Sequence, residues 1–141
     1  MADTQNAFTD NDFCFACGTK NPLGLHLTFY AEGGDLCTRV TPKPHWQGFA
    51  GVVHGGLQST IIDDLMSNHL FKRERAWVAT GELTVRFKKP VPLDRELVFK
   101  STIESHQGRV WNMRGVCTLA AEPDKPLTVA TARFIDIPAP E

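Results

Sequence analysis

From Leu25 to Tyr30, and again from Leu36 to Thr41, apolar and polar residues alternate with the period of two of a half-buried strand. Gly33-Gly34-Asp35 lies between them, so the two runs predict a β-hairpin. A proline-rich loop follows at Pro42 to Pro44, and His45 to Gly51 has no clear period. In LQSTIIDDLMSNHLF, beginning at Leu57, apolar residues recur at three and four. That spacing predicts a helix of about 16 to 18 residues, opened by His54-Gly55-Gly56. Alternation then returns. Trp77 to Lys89 reads as a strand stopped at Lys89-Pro90-Val91-Pro92, because proline cannot donate to a ladder. Glu96 to His106 and Val110 to Leu119 read as two more strands joined through Gln107-Gly108, and Leu127 to Ile137 as the last. Two strands, one helix and four strands lack the β-α-β-α rhythm of a parallel sheet, so the fold class is α+β, one long helix on an antiparallel sheet of six strands. A helix of ~25 Å cannot cover both faces of such a sheet, so a second copy is expected against its open face or edge.

The 141 residues fit one domain, read as an N-terminal arm over 1–23 and a folded body over 24–141. At this length roughly 68% of the unfolded surface is buried on folding, so no disulfide or metal staple is required. A formal net charge of -1 argues against a nucleic-acid partner, which calls for a basic excess. No apolar run approaches the ~20 residues of a membrane span, and MADTQNAFTD is unlike a signal peptide, so a cytoplasmic protein is expected. Cys14-x-x-Cys17 stands without a second pair, and Cys37 and Cys117 are isolated, so the pair reads as thiols of a folded loop rather than a redox or zinc site.

On the helix, Ser59, Thr60, Asp63 and Ser67 make a narrow stripe of small and polar residues. Such a stripe suits a solvated face, and it equally suits close approach of a second helix with Asp63 at the seam. Asp64 points 100° further round, so the two carboxylates do not serve one function from one direction. No His or Glu stands three or four residues from either to complete a metal shell, and no metal is expected. At the helix entry, Gly55 and Gly56 leave first-turn N–H groups unshielded, which can bind a developing oxyanion or merely permit a sharp turn. G-x-S-x-G, G-x-G-x-x-G and G-K-[ST] are all absent, which sets aside those hydrolase and nucleotide-binding classes. Lys72, Arg73 and Arg75 complement the helix C-terminus, and with Lys88 and Lys89 could bind the phosphates of a large ligand. Phe29, Trp46, Phe49, Trp77 and Phe87 are candidates for an apolar ligand pocket or for plain core.

QGFAGVVHGGLQSTIIDDLM, preceded by CFACGTKNPLGL and followed by TGELTVRFKKPVP, resembles the hotdog-fold acyl-CoA thioesterases of the phenylacetic-acid-degradation type. The resemblance covers about Cys14 to Pro92 and implies a helix wrapped by an antiparallel sheet. It implies hydrolysis of an acyl or aryl-acyl thioester to acid and CoA, with no cofactor. A backbone amide at Gly55 would be the oxyanion donor, with His54 and Gly56 beside it at the substrate. Asp63, nine positions after the histidine, falls on the carboxylate position as general base or nucleophile, and Thr80 on the hydroxyl position. Where many members carry Asn six residues before the histidine, this chain has Gly48, with Gln47 beside it as the candidate holder of water. The resemblance further implies a homodimer or homotetramer with sites between subunits. A hydrolase of acyl groups on carrier protein, and a non-catalytic acyl-CoA binding or sensing module, are the alternatives. A hydratase would need a paired acid and base that the helix does not supply.

Overall fold

The structure is a computed structural model that describes residues 12–139. The elements run β1 (Tyr30–Glu32), β2 (Asp35–Val40), α1 (Gly55–Glu74), β3 (Val78–Phe87), β4 (Leu97–Gln107), β5 (Val110–Leu119) and β6 (Thr128–Asp136). The strands form one antiparallel sheet in the order β1-β2-β4-β5-β6-β3, with α1 packed against it. This is the expected architecture, with two differences of extent.

The first strand is shorter than its alternation suggested. Leu25 and Leu27 donate their N–H groups to the carbonyls of Phe15 and Ala16, so that stretch pairs with the chain N-terminal to it, and only Tyr30–Glu32 join the ladder with β2. The helix is longer, at 20 residues. It closes where Arg75 takes a left-handed conformation (φ 53°) and Ala76 N–H caps the Leu70 carbonyl. Lys72 and Arg73 occupy its last turn, next to the negative end of the dipole.

Ile61, Ile62, Leu65, Met66 and Leu70 turn inward from α1 and meet Phe99, Met113, Cys117, Ala130 and Phe134 of the sheet. Burial of each large aliphatic side chain contributes about 1.5–3 kcal/mol, which makes this one stripe the main anchor of the helix. Close approach depends on Gly115. A Cβ there would lie 2.9 Å from Met66 Cε and 3.1 Å from Ile62 Cγ2.

Strand β3 is an edge of the sheet, paired only with β6. Its alternation changes parity at Gly81, where a bulge separates the pair Thr80–Phe134 from the pair Glu82–Arg133. Before the bulge the even-numbered Val78 packs on the core, and after it the odd-numbered Leu83 and Val85 do. The extra residue lets Thr80 face α1 from the same strand that buries Leu83.

Candidate active site

An α-helix leaves its first four N–H groups without intrahelical partners. In α1 three of them are occupied: His54 N–H donates to the Trp46 carbonyl at 2.8 Å, Gly56 N–H to His54 Nδ1 at 2.9 Å, and Leu57 N–H to the His54 carbonyl. Gly55 N–H has no partner among the described residues. His54 is therefore the N-cap of the helix, and the local hydrogen bonding distinguishes two amides that the sequence left equivalent.

Gly55 borders a cavity of about 750 Å³. Its walls are largely apolar, from Phe49, Val52, Phe87, Pro90 and Val91, with Lys88 and Lys89 also in the lining. Phe49 and Phe87 of this lining stay 87% and 51% exposed. Trp46 is buried in the core and Trp77 packs edge-on against Phe71, so neither belongs to this cavity.

Asp63 lies two turns further along α1, half-buried. Thr80 Oγ1 donates to its Oδ1 at 2.7 Å, joining the two residues expected to act together. Two hydroxyls of the stripe are spent locally: Ser59 Oγ donates to the Gly55 carbonyl and Thr60 Oγ1 to the Gly56 carbonyl. Neither Asp63 nor Thr80 lines the cavity at Gly55 in the same chain.

Asp64 faces a different neighbourhood. Cys14 Sγ and Cys17 Sγ donate to its Oδ1 at 3.5 and 3.6 Å, and Oδ2 is buried without a partner. Burial raises the Asp64 carboxyl above its usual range. Burial, and next the Asp64 charge, push the Cys17 thiol up to about 12. A redox or nucleophilic cysteine needs the opposite shift. Searching for a metal partner along the helix, or in a second C-x-x-C, could not find this cluster. Its members are 47 and 50 residues apart.

Gln47 is engaged at both ends of its amide: Nε2 donates to the Pro44 carbonyl and Oε1 accepts Gly51 N–H. It braces the loop that leads into α1. Gly48 packs against His54, whose Cα would lie 3.2 Å from a Cβ at that position. The two basic groups are separated. Lys88 and Lys89 line the cavity at the helix start, whereas Lys72 and Arg75 stand at its far end, ~30 Å away along a 20-residue helix. Gln58, which sequence reasoning passed over, is 3% exposed and lines the cavity. It accepts from Thr128 Oγ1 at 2.6 Å. Its signal was a polar side chain on the apolar arc of the helix, three residues before Ile61.

The sequence profile of the Thioesterase superfamily matches residues 50–116, from the loop before α1 to the middle of β5. Acyl-coenzyme A thioesterase THEM4 of Rattus norvegicus is 37% identical over 94 residues, which are 66% of this chain and 39% of that protein. The chain thus spans well under half the length of this curated relative. Among solved structures, a thioesterase superfamily protein superposes with a TM-score of 0.80 at 22% identity, over 89% of this chain and 61% of that one. A hypothetical thioesterase of Streptococcus pneumoniae, crystallised with coenzyme A, gives a TM-score of 0.71 at 16% identity over 82% and 88%. The E. coli PaaI protein of the phenylacetic acid degradation operon gives 0.71 at 11% identity over 82% and 83%. The fold is the hotdog fold. The chain is similar to the Thioesterase superfamily over residues 50–116 and shares the fold of its solved members.

Proposed function

We propose that this chain hydrolyses acyl-CoA thioesters, in sites assembled from two copies of α1. The observation that carries the reading is the division of labour along one helix. Gly55 N–H, the one first-turn amide of α1 without a partner among the described residues, borders the apolar cavity, and the Asp63–Thr80 pair sits eight residues away, beside the unpaired edge of β3. Eight residues are ~12 Å of helix, so one thioester carbonyl cannot meet both groups of one chain. A two-fold axis that sets β3 against its copy would place the carboxylate of one protomer opposite the Gly55 amide of the other.

In that arrangement the acyl group lies against Phe49 and Phe87, and Lys88 and Lys89 supply charge for the phosphates of CoA. An apolar acyl or aryl-acyl chain suits those walls. Gly55 N–H donates to the carbonyl oxygen as negative charge develops on it, a kind of contact worth about 2.7–4 kcal/mol in other hydrolases. Thr80 holds Asp63 Oδ1 and leaves Oδ2 to act. As general base Oδ2 takes a proton from the attacking water; as nucleophile it attacks the carbonyl and gives an anhydride that water then opens. Both routes break the C–S bond and convert RCO–S–CoA and water to RCOOH and HS–CoA. Similarity to the rat relative and to the coenzyme-A-bound Streptococcus pneumoniae structure supports the substrate class.

The test is thiol release from short-chain, long-chain and aryl acyl-CoAs, with acyl carrier protein thioesters alongside. Turnover of a CoA substrate that is lost in Asp63→Asn is expected. Tight binding of acyl-CoA with no turnover on any substrate would make the chain a binding module instead.

A further inference from the structure

The segment Cys14 to Gly18 is shaped by its own sulfur. Cys17 N–H donates to Cys14 Sγ at 3.4 Å and Gly18 N–H to the Cys14 carbonyl, so both thiols come to one side of a tight turn. That side faces α1. There Asp64 Oδ1 stands within 3.5–3.6 Å of both sulfurs, and all three donor atoms lie within 4.8 Å of one another. From the helix, Asn68 Nδ2 reaches Cys17 Sγ at 3.8 Å while also donating to the Asp64 carbonyl. Each sulfur therefore receives an N–H donor, the environment that stabilises negative sulfur, yet both point at a carboxylate that opposes negative charge. The second oxygen of that carboxylate is buried with nothing to bond. A cation among the three would take the place of the two thiol protons and also engage the unpartnered oxygen.

We propose that Cys14 Sγ, Cys17 Sγ and Asp64 form a binding site for a thiophilic divalent cation of the zinc class, which clamps the N-terminal arm to α1. Two thiolates and a carboxylate select such an ion over magnesium or calcium, which take oxygen ligands. The free Asp64 Oδ2 supplies a fourth donor if the carboxylate binds through both oxygens. Binding exchanges two thiol protons for one ion: M²⁺ enters, two S–H bonds break, two metal–sulfur bonds form, and two protons leave to solvent. Nothing is oxidised. The site is independent of ester hydrolysis, because Asp64 turns away from Asp63 and takes no part in the chemistry above.

Cobalt(II) is the probe, since its thiolate complexes absorb through sulfur-to-metal charge transfer. The full chain, reduced and stripped with chelator, is titrated anaerobically with cobalt and then with zinc. A charge-transfer band that saturates at one ion per chain, falls on addition of zinc and accompanies release of two protons is expected. The melting temperature should rise by several degrees with zinc, as for any ligand that binds only the folded state. Cys14→Ser and Cys17→Ser should abolish the band, Asp64→Asn should weaken binding at least tenfold, and Cys117→Ala should leave it unchanged. Absence of the band in the reduced wild-type chain overturns the proposal even if the serine variants do not fold. So does a band of the same intensity in folded Cys14→Ser.

Discussion

Asp63 and Asp64 are neighbours in sequence with different surroundings. Asp63 accepts from Thr80 at the flank of β3, and Asp64 is turned into a sulfur-lined recess. Asp63→Asn keeps the shape and removes the charge, so kcat should fall by at least about 10²-fold, the usual size of an acid–base contribution. Asp64→Asn should cost far less in kcat and instead change stability and metal affinity. Comparable losses of kcat at the two positions would show that the active carboxylate has been misplaced. Thr80→Val tests the partner: the hydroxyl bonds only to Asp63 among the described contacts, and the residue is exposed at a strand edge. Turnover should slow with little change in melting temperature. A large drop in stability with activity per folded molecule intact would make Thr80 a strand residue and nothing more.

The elements are joined by buried polar contacts as well as by the core, and His69 is the clearest of them. Fully buried near the end of α1, it presents Nε2 to the Gly34 carbonyl at 3.0 Å and Nδ1 to Ser101 Oγ at 2.9 Å, tying the helix to the β1–β2 turn and to β4. A carbonyl only accepts, so Nε2 carries the proton and Nδ1 accepts from the serine. Burial holds the imidazolium pKa below the ordinary histidine value. The unfolded chain, with its histidine near ~6.5, therefore takes up the proton first as the solution is acidified. The stabilising contribution is complete above that value and is lost as pH falls toward the lower, folded pKa. Unfolding by urea should show a smaller free energy at about pH 5.5 than at about pH 7.5. In His69→Gln, less stable at the higher pH, that difference should shrink. An unchanged pH dependence in the variant would assign the effect to other groups.

For the whole molecule the decisive matter is what a second copy brings. The β3 edge offers unpaired backbone, and exposed edges of this kind are managed in soluble proteins by pairing or by cover. If each site takes Gly55 from one chain and Asp63 from the other, two inactive variants can rescue each other. Asp63→Ala removes the carboxylate. Gly55→Val places a side chain where a Cβ already lies 3.2 Å from the Phe87 ring and so closes the helix entry. In a mixed dimer one site holds both lesions and the other neither. Random exchange of equal amounts makes half of the dimers mixed, so activity should return to about a quarter of wild type. Mixed dimers that demonstrably form and remain inactive would overturn the composite site.

What the sequence determined by itself was the placing of the regular elements, which near-neighbour periodicity carries. Period-two runs placed β2 to β6 to within a few residues, period-3.6 spacing placed α1, and the proline cluster after Lys89 marked a strand end. A side chain's face depends on its own position in a regular element, so these readings needed no knowledge of the rest of the chain. The His-Gly-Gly entry, the carboxylate nine residues on and the hydroxyl at the start of β3 were legible as a pattern, and the fold brings Asp63 and Thr80 within a hydrogen bond. Tertiary structure alone decided three things. His54 caps Gly56 and leaves Gly55 unpartnered, a matter of how the preceding loop enters the helix. The bulge at Gly81 turns Thr80 toward α1, because ladder register is set by the partner strand β6. The arm cysteines meet Asp64 because packing of the arm on α1 brings together residues 47 and 50 positions apart, a distance at which local periodicity carries no information.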